Sequence, residues 1–97
     1  LSQNSDKIVL LTFVSSWSGS SSILNEIIKH IAPEFEETVI FLKIDIDKAK
    51  RLKHKFDIEN TPTSILFQND QVIDKFEGLL SKTKIKRRIE NFTLEDE

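Results

Sequence analysis

Apolar residues cluster in short runs along this chain, and the spacing changes from run to run. KIVLLTFV (Lys7 to Val14) is almost continuously apolar over the length of a strand. Such a run predicts a strand buried in the middle of a sheet. From Ser20 to Ala32 the pattern changes to Ile23, Leu24, Ile27, Ile28 and Ile31. That spacing predicts an amphipathic helix, with Pro33 stopping it or sitting just past its end. TVIFLKIDI (Thr38 to Ile46) predicts a second buried strand. Asp47 is placed to cap a short helix over Lys48 to Lys55, with Ala49, Leu52 and Phe56 facing inward. TPTSILF (Thr61 to Phe67) and QVIDKF (Gln71 to Phe76) predict two more strands. Asn69-Asp70 between them reads as a tight hairpin turn. Ser81 caps a last helix whose inner face is Ile85, Ile89 and Phe92. The tail, Thr93 to Glu97, is expected to fray.

The order is therefore β-α-β-α-β-β-α. A helix between the first two strands predicts a parallel pair, and the last two strands predict an antiparallel hairpin. The fold class is α/β, with a mixed four-stranded sheet and helices on both faces.

Composition narrows the function. The chain has 97 residues, 38% hydrophobic and 31% charged, with a net charge of −2. One domain over 1–97 is expected, with enough apolar material for one core. No apolar run approaches the roughly 18 residues that a membrane-spanning helix needs. No signal segment is legible, so a cytoplasmic location is expected. The chain opens at Leu1 rather than Met, which leaves room for an upstream piece. It contains no cysteine. Thiol catalysis, disulfides and thiolate metal sites are excluded for the chain as it stands, and the redox compartment cannot be read.

The chemistry, if any, should gather at VSSWSGSSSI (Val14 to Ile23), a hydroxyl-rich turn between a strand and a helix. Hydroxyls at a helix start satisfy its orphan N–H groups, and Ser18, Ser20 and Ser21 are expected to do so. A hydrolytic serine would need a base nearby. His30 lies about 13 Å down the same helix from Ser21, and His54 sits on another helix. A serine hydrolase is therefore set aside. Asp45 and Asp47 lack further ligands, so no metal site is expected. KTKIKRR (Lys82 to Arg88) holds five cations in seven residues. Ile85 and Ile89 mark its buried stripe, so a solvated helix face is expected there. Nucleic-acid binding through that helix is kept as a lesser alternative.

Four segments in order, FVSSWSGSSSI, FLKIDIDK, TPTSILFQNDQV and FEGLLSK, resemble the thioredoxin family. The likeness runs from Leu1 to about Phe92. It starts beyond the family's first strand and most of its first helix. It implies a thioredoxin-like fold with sheet order second–first–third–fourth. It also implies a cis peptide bond before Pro62, which faces Ser18. Ser18 and Ser21 stand where the family has its two redox cysteines. Trp17 and Gly19 match the motif, whereas Ser20 and Ser22 stand where thioredoxins usually have proline and lysine. Lys43 matches a buried lysine, and its usual aspartate partner is Thr12 here. Gly78 matches a glycine beside the substrate groove.

The resemblance implies a thiol–disulfide oxidoreductase ancestry, but the exchange requires a thiolate. A serine hydroxyl neither ionises near neutrality nor forms a disulfide, so no catalytic residue and no cofactor are expected. What survives is the family's groove, here Trp17, Gly19, Thr61, Pro62 and Gly78, with Thr12 and Lys43 behind it. The expected function is a redox-inactive module that binds extended peptide segments or client proteins, as a monomer, with no nucleic-acid or membrane partner. The alternative is an oxidoreductase whose two cysteines were exchanged for serine.

Overall fold

A computed structural model describes residues 7–93. Its elements run β1 (Ile8–Val14), α1 (Gly19–Ile31), a 3-10 turn (Ala32–Phe35), β2 (Val39–Asp45), α2 (Lys50–Lys55), β3 (Thr63–Gln68), β4 (Gln71–Glu77) and α3 (Lys82–Thr93). The tail expected to fray lies outside the described residues except for Thr93, which ends α3.

The sheet order is β2-β1-β3-β4. β1 pairs parallel with β2, Ile8 opposite Val39 and Val14 opposite Asp45. β1 pairs antiparallel with β3, and β3 antiparallel with β4. The hairpin turn has positive φ at both Asn69 (54°) and Asp70 (65°), the twist that two-residue hairpins favour.

Alternation along the strands sends side chains to two faces. One face packs against α1 and α3. Its core is Leu10, Leu24, Ile31, Leu66, Ile85 and Ile89, all fully buried, with Ile8, Phe35, Val39 and Phe76 around them. The other face holds a smaller cluster of Phe13, Ile46, Ile58 and Ile65, flanked by half-buried Leu11, Ile44, Phe56 and Phe67. The Phe56 ring meets Phe13 at 5.8 Å and Phe67 edge-on at 5.2 Å between centroids.

Several expectations are corrected. β2 is only partly buried: it is an edge strand among the described residues, with Val39 in the core but Leu42 and Lys43 exposed. In α1, Leu24 and Ile31 are buried, Ile27 and Ile28 are half-buried, and Ile23 is exposed. The buried line instead takes in Ser21, because α1 meets the sheet along a narrower strip than its apolar stripe. Pro33 does lie just past the end of α1, as expected. It sits in the first turn of the 3-10 segment, where its missing N–H costs nothing. Asp47 does not cap α2: the helix starts later, at Lys50, with Ala49 as an N-cap that makes no side-chain bond. The Asp47 N–H instead donates to Asp45 Oδ1 at 2.8 Å, an Asx turn that delays the helix. Leu52 is exposed, and α2 buries none of its residues. Phe92 is exposed at the last turn of α3, beyond the reach of the core. Ser81 does cap α3, accepting from Lys84 N–H at 3.2 Å.

Candidate functional site

The parallel strands β1 and β2 end on the same side of the sheet, and Ile46 N–H donates to Val14 C=O at 3.0 Å there. The serine loop leaves β1 at that edge. Its hydroxyls have separate structural roles. Ser18 is the N-cap of α1, with extended backbone, and its Oγ accepts from Ser21 N–H at 3.2 Å. Ser21 is 3% exposed, and its Oγ accepts from Ser15 N–H at 3.2 Å. Ser21 thus closes the loop from inside. Ser20 caps nothing and is exposed, which corrects its expected role.

Ser15 makes the connection that sequence reasoning missed. It is buried, and its Oγ lies 2.9 Å from Thr61 Oγ1, forty-six positions along the chain. That hydrogen bond joins the serine loop to the segment preceding β3. Only a hydroxyl run longer than capping requires could have hinted at it. The Thr61–Pro62 bond is cis. Pro62 C=O accepts from Gly78 N–H at 2.7 Å, and Gly78 has φ of 80°. A side chain at that φ would be strained, which accounts for glycine there. Thr63 Oγ1 donates to Asn60 C=O at 2.6 Å and pins the turn before Pro62. Thr61 itself bonds through its side chain. No hydrogen bond to its backbone N–H or C=O is found among the described residues, and the β3 ladder begins only at Thr63.

Trp17 is 75% exposed, two positions from Ser15. A packing role for this indole is therefore excluded. Gly19 opens α1, and a Cβ there would meet nothing within 4 Å. The structure thus links the Trp17 loop, Thr61-Pro62 and Gly78 through two hydrogen bonds.

Thr12 and Lys43 stand apart from that group. They are register partners on β1 and β2, and Ser64 of β3 faces Thr12 from the other side. Thr12 is buried, but Lys43 is exposed, so the expected buried lysine is absent. The edge position of β2 explains this: nothing among the described residues covers it. Lys43 lines an open depression of about 230 Å³ with Ser15, Ser18, Ser21, Asn25 and Asp45. Trp17, Thr61, Pro62 and Gly78 do not line it. Ser64 Oγ is fully buried and has no hydrogen-bond partner among the described residues.

His30 and His54 are both exposed, and no hydrogen bond joins either to a serine among the described residues. In the last helix, Lys86 pairs with Glu34 at 2.9 Å and Arg88 with Asp74 at 3.3 Å. Arg88 also lies over the Phe76 ring at 5.2 Å. Part of that basic run is therefore internal structure. No helix among the described residues is long and apolar enough to cross a membrane, and no group of three potential metal ligands occurs among them.

A mixed sheet of this order, with helices on both faces and a cis-proline loop beside a helix N-terminus, defines the thioredoxin fold. Solved structures agree. The thioredoxin of Malassezia sympodialis is 25% identical with a TM-score of 0.85, covering 95% of this chain and 82% of that one. The thioredoxin of Fasciola hepatica superposes with a TM-score of 0.87 at 23% identity, covering 95% and 86%. The thioredoxin family model matches residues 1–91, so the chain belongs to the thioredoxin family. "Thioredoxin Y2, chloroplastic" of Arabidopsis thaliana is 37% identical over 91 residues, covering 94% of this chain and 54% of the relative. The thioredoxin of Buchnera aphidicola is also 37% identical, over 84% of this chain and 75% of its own. The chain spans about half the length of the plant relatives it matches.

Proposed function

We propose that this chain is a redox-inactive thioredoxin-fold module that binds an extended polypeptide segment in the groove formed by Trp17, Thr61, Pro62 and Gly78. The observation that carries the reading is the free backbone of Thr61, tied through Ser15 to the loop that carries an exposed tryptophan. An extended segment can pair with such a backbone as an added strand, while an aromatic wall holds one of its side chains. Nothing in this requires sulfur. Disulfide exchange does, and Ser18 and Ser21 are engaged as a cap and a loop acceptor.

One short strand of hydrogen bonds with no covalent step gives weak binding, with Kd on the order of 10 µM to 1 mM. Trp17 is the only tryptophan, so its fluorescence reports occupancy. In an amide titration with an extended peptide, shifts should concentrate at Trp17 to Gly19, Thr61, Thr63, Glu77 and Gly78. Shifts confined to Lys82–Arg88 with Trp17 unmoved would overturn the groove and move recognition to α3.

Family membership favours a second reading, a thiol–disulfide oxidoreductase in cysteine-less form. As it stands the chain should not reduce insulin disulfides with dithiothreitol as donor. Ser18→Cys with Ser21→Cys should gain turnover, because a helix N-terminus stabilises a thiolate. A cytoplasmic location remains part of the proposal. The bacterial relative is compatible with it and the chloroplastic names of the plant relatives are not, so fractionation of the native host decides.

A further inference from the structure

Between β2 and β3 the chain crosses over through Lys48, Lys50, Arg51, Lys53 and Lys55, with no carboxylate from Lys48 to Lys55. These are five of the 14 Lys and Arg in a chain whose net charge is −2. All five are exposed, and none forms an ion pair among the described residues. Elsewhere three of the nine other Lys and Arg form ion pairs among the described residues: Lys29 with Glu26, Lys86 with Glu34 and Arg88 with Asp74. α2 also buries nothing, so the core does not explain its sequence. Like charges this dense repel one another and destabilise the free protein. Lys55 has the Phe56 ring 5.7 Å from its Nζ; burial and internal pairing leave the rest of the cluster unexplained, whereas an acidic partner would account for it.

The position of α2 narrows the partner. The crossover leaves the sheet where Ile46 N–H bonds Val14 C=O and returns at Thr61, bonded to Ser15. Both ends of the basic segment are therefore anchored to neighbouring residues of the serine loop. Lys55 and Thr61 are six residues apart along the chain, a stretch that spans at most about 20 Å and that about six extended residues continuing from Thr61 can cover. We infer that the cationic surface of α2 is a second recognition surface, selecting polypeptide segments rich in Asp and Glu that flank the stretch held in the groove. This deepens the groove reading and rests on it for where the partner lies, though not for the charge of the partner.

The surroundings favour a peptide over a nucleic acid. Asp45, Asp47, Asp57 and Glu59 bracket the cations along the chain. A uniformly charged polyanion meets these carboxylates as well, whereas a peptide can set its acids against the lysines alone. The exposed apolar residue among the cations is Leu52, and the one exposed ring there is the imidazole of His54, not a row of aromatic faces on which successive bases could stack.

The test uses two peptides with the same Val/Thr-rich extended core, one followed by about six Glu and the other by as many Gln, titrated into the isotope-labelled chain. The Glu peptide should bind about tenfold more tightly at about 50 mM salt and lose most of that advantage at about 300 mM. It should shift the amides of Lys50–Lys55 together with Thr61. The triple change Lys50→Glu, Arg51→Glu, Lys53→Glu should abolish the preference and leave Gln-peptide binding unchanged. The same three positions changed to Gln serve if the Glu variant fails to fold. Equal binding of the two peptides, or an undiminished preference in the variant, overturns the inference. So does tighter binding of a single-stranded oligonucleotide, or of phosphatidylserine vesicles, to the same α2 amides. If the Gln peptide leaves Trp17 and Thr61 unmoved while the Glu peptide still shifts α2, the groove reading fails and the acidic selection stands. Shifts at Trp17 and Thr61 with α2 silent mean the reverse: the groove stands and the acidic selection fails.

Discussion

The two faces of the sheet are built to different standards. On the α1/α3 face, six apolar side chains have no solvent exposure at all. On the α2 face only Phe13 does, and Leu11, Ile44, Phe56 and Phe67 are half-buried around it. The covering helices differ in the same sense. α1 and α3 are 13 and 12 residues long, and each buries core side chains. α2 has 6 residues and buries none. Most of the fold's hydrophobic stabilisation therefore resides on one face. The other face can carry a sequence, such as the basic run of α2, that stability alone does not select.

The largest test of this asymmetry sets Leu66→Ala against Leu42→Ala. Leu66 is fully buried on the α1/α3 face, and its truncation should cost about 2–5 kcal/mol. Leu42 is 48% exposed on the edge strand, and its truncation should cost under about 1 kcal/mol. Urea unfolding of both variants checks this, and equal losses would erase the distinction.

The serine loop gives the next comparison. Ser21→Ala leaves the buried N–H of Ser15 without an acceptor, which should cost about 1–3 kcal/mol. Ser18→Ala removes only a cap and should cost about 1 kcal/mol. The two serines stand in equivalent motif positions, so thermal melts that rank them in reverse order would refute the division of roles.

Ser64→Ala should move stability the other way. Its buried hydroxyl has no partner among the described residues, so removing it should leave stability unchanged or raise it by up to about 1 kcal/mol. A clear loss in chemical denaturation would show that the hydroxyl finds a partner in solution.

The smallest effect belongs to the surface. Lys86 has its pKa raised above the ordinary 10.5, chiefly by its hydrogen bond to Glu34 and then by that carboxylate's charge, with burial opposing. A raised lysine pKa stabilises the fold fully below the unfolded value and loses that contribution as pH climbs through the folded one. The slight advantage of the native chain over Lys86→Ala should therefore persist at neutral pH and fade above about pH 10.5. Salt should reduce it too. Melting curves across that range, with an advantage that grows with pH, would reverse the assignment.

Local pattern was enough for much of this protein. The continuous apolar run at Ile8–Val14 marked an interior strand, Asn69-Asp70 marked the hairpin, and Ser81 marked the start of α3. These are readings of neighbours in the chain, where dihedral preference and side-chain period act directly. The missing thiols were equally plain, and they exclude the exchange reaction whatever the fold. Periodicity says which side chains share a face, but not how far that face is covered. That is why Ile23, Leu42, Leu52 and Phe92, all apolar and in phase, lie exposed. Their fate depended on the width of a helix–sheet contact and on which strand became the edge. The exposure of Trp17, the Ser15–Thr61 hydrogen bond and the exposure of the α2 cations likewise needed the folded chain. Each is set by segments distant in sequence and adjacent in space, an adjacency that no local spacing encodes.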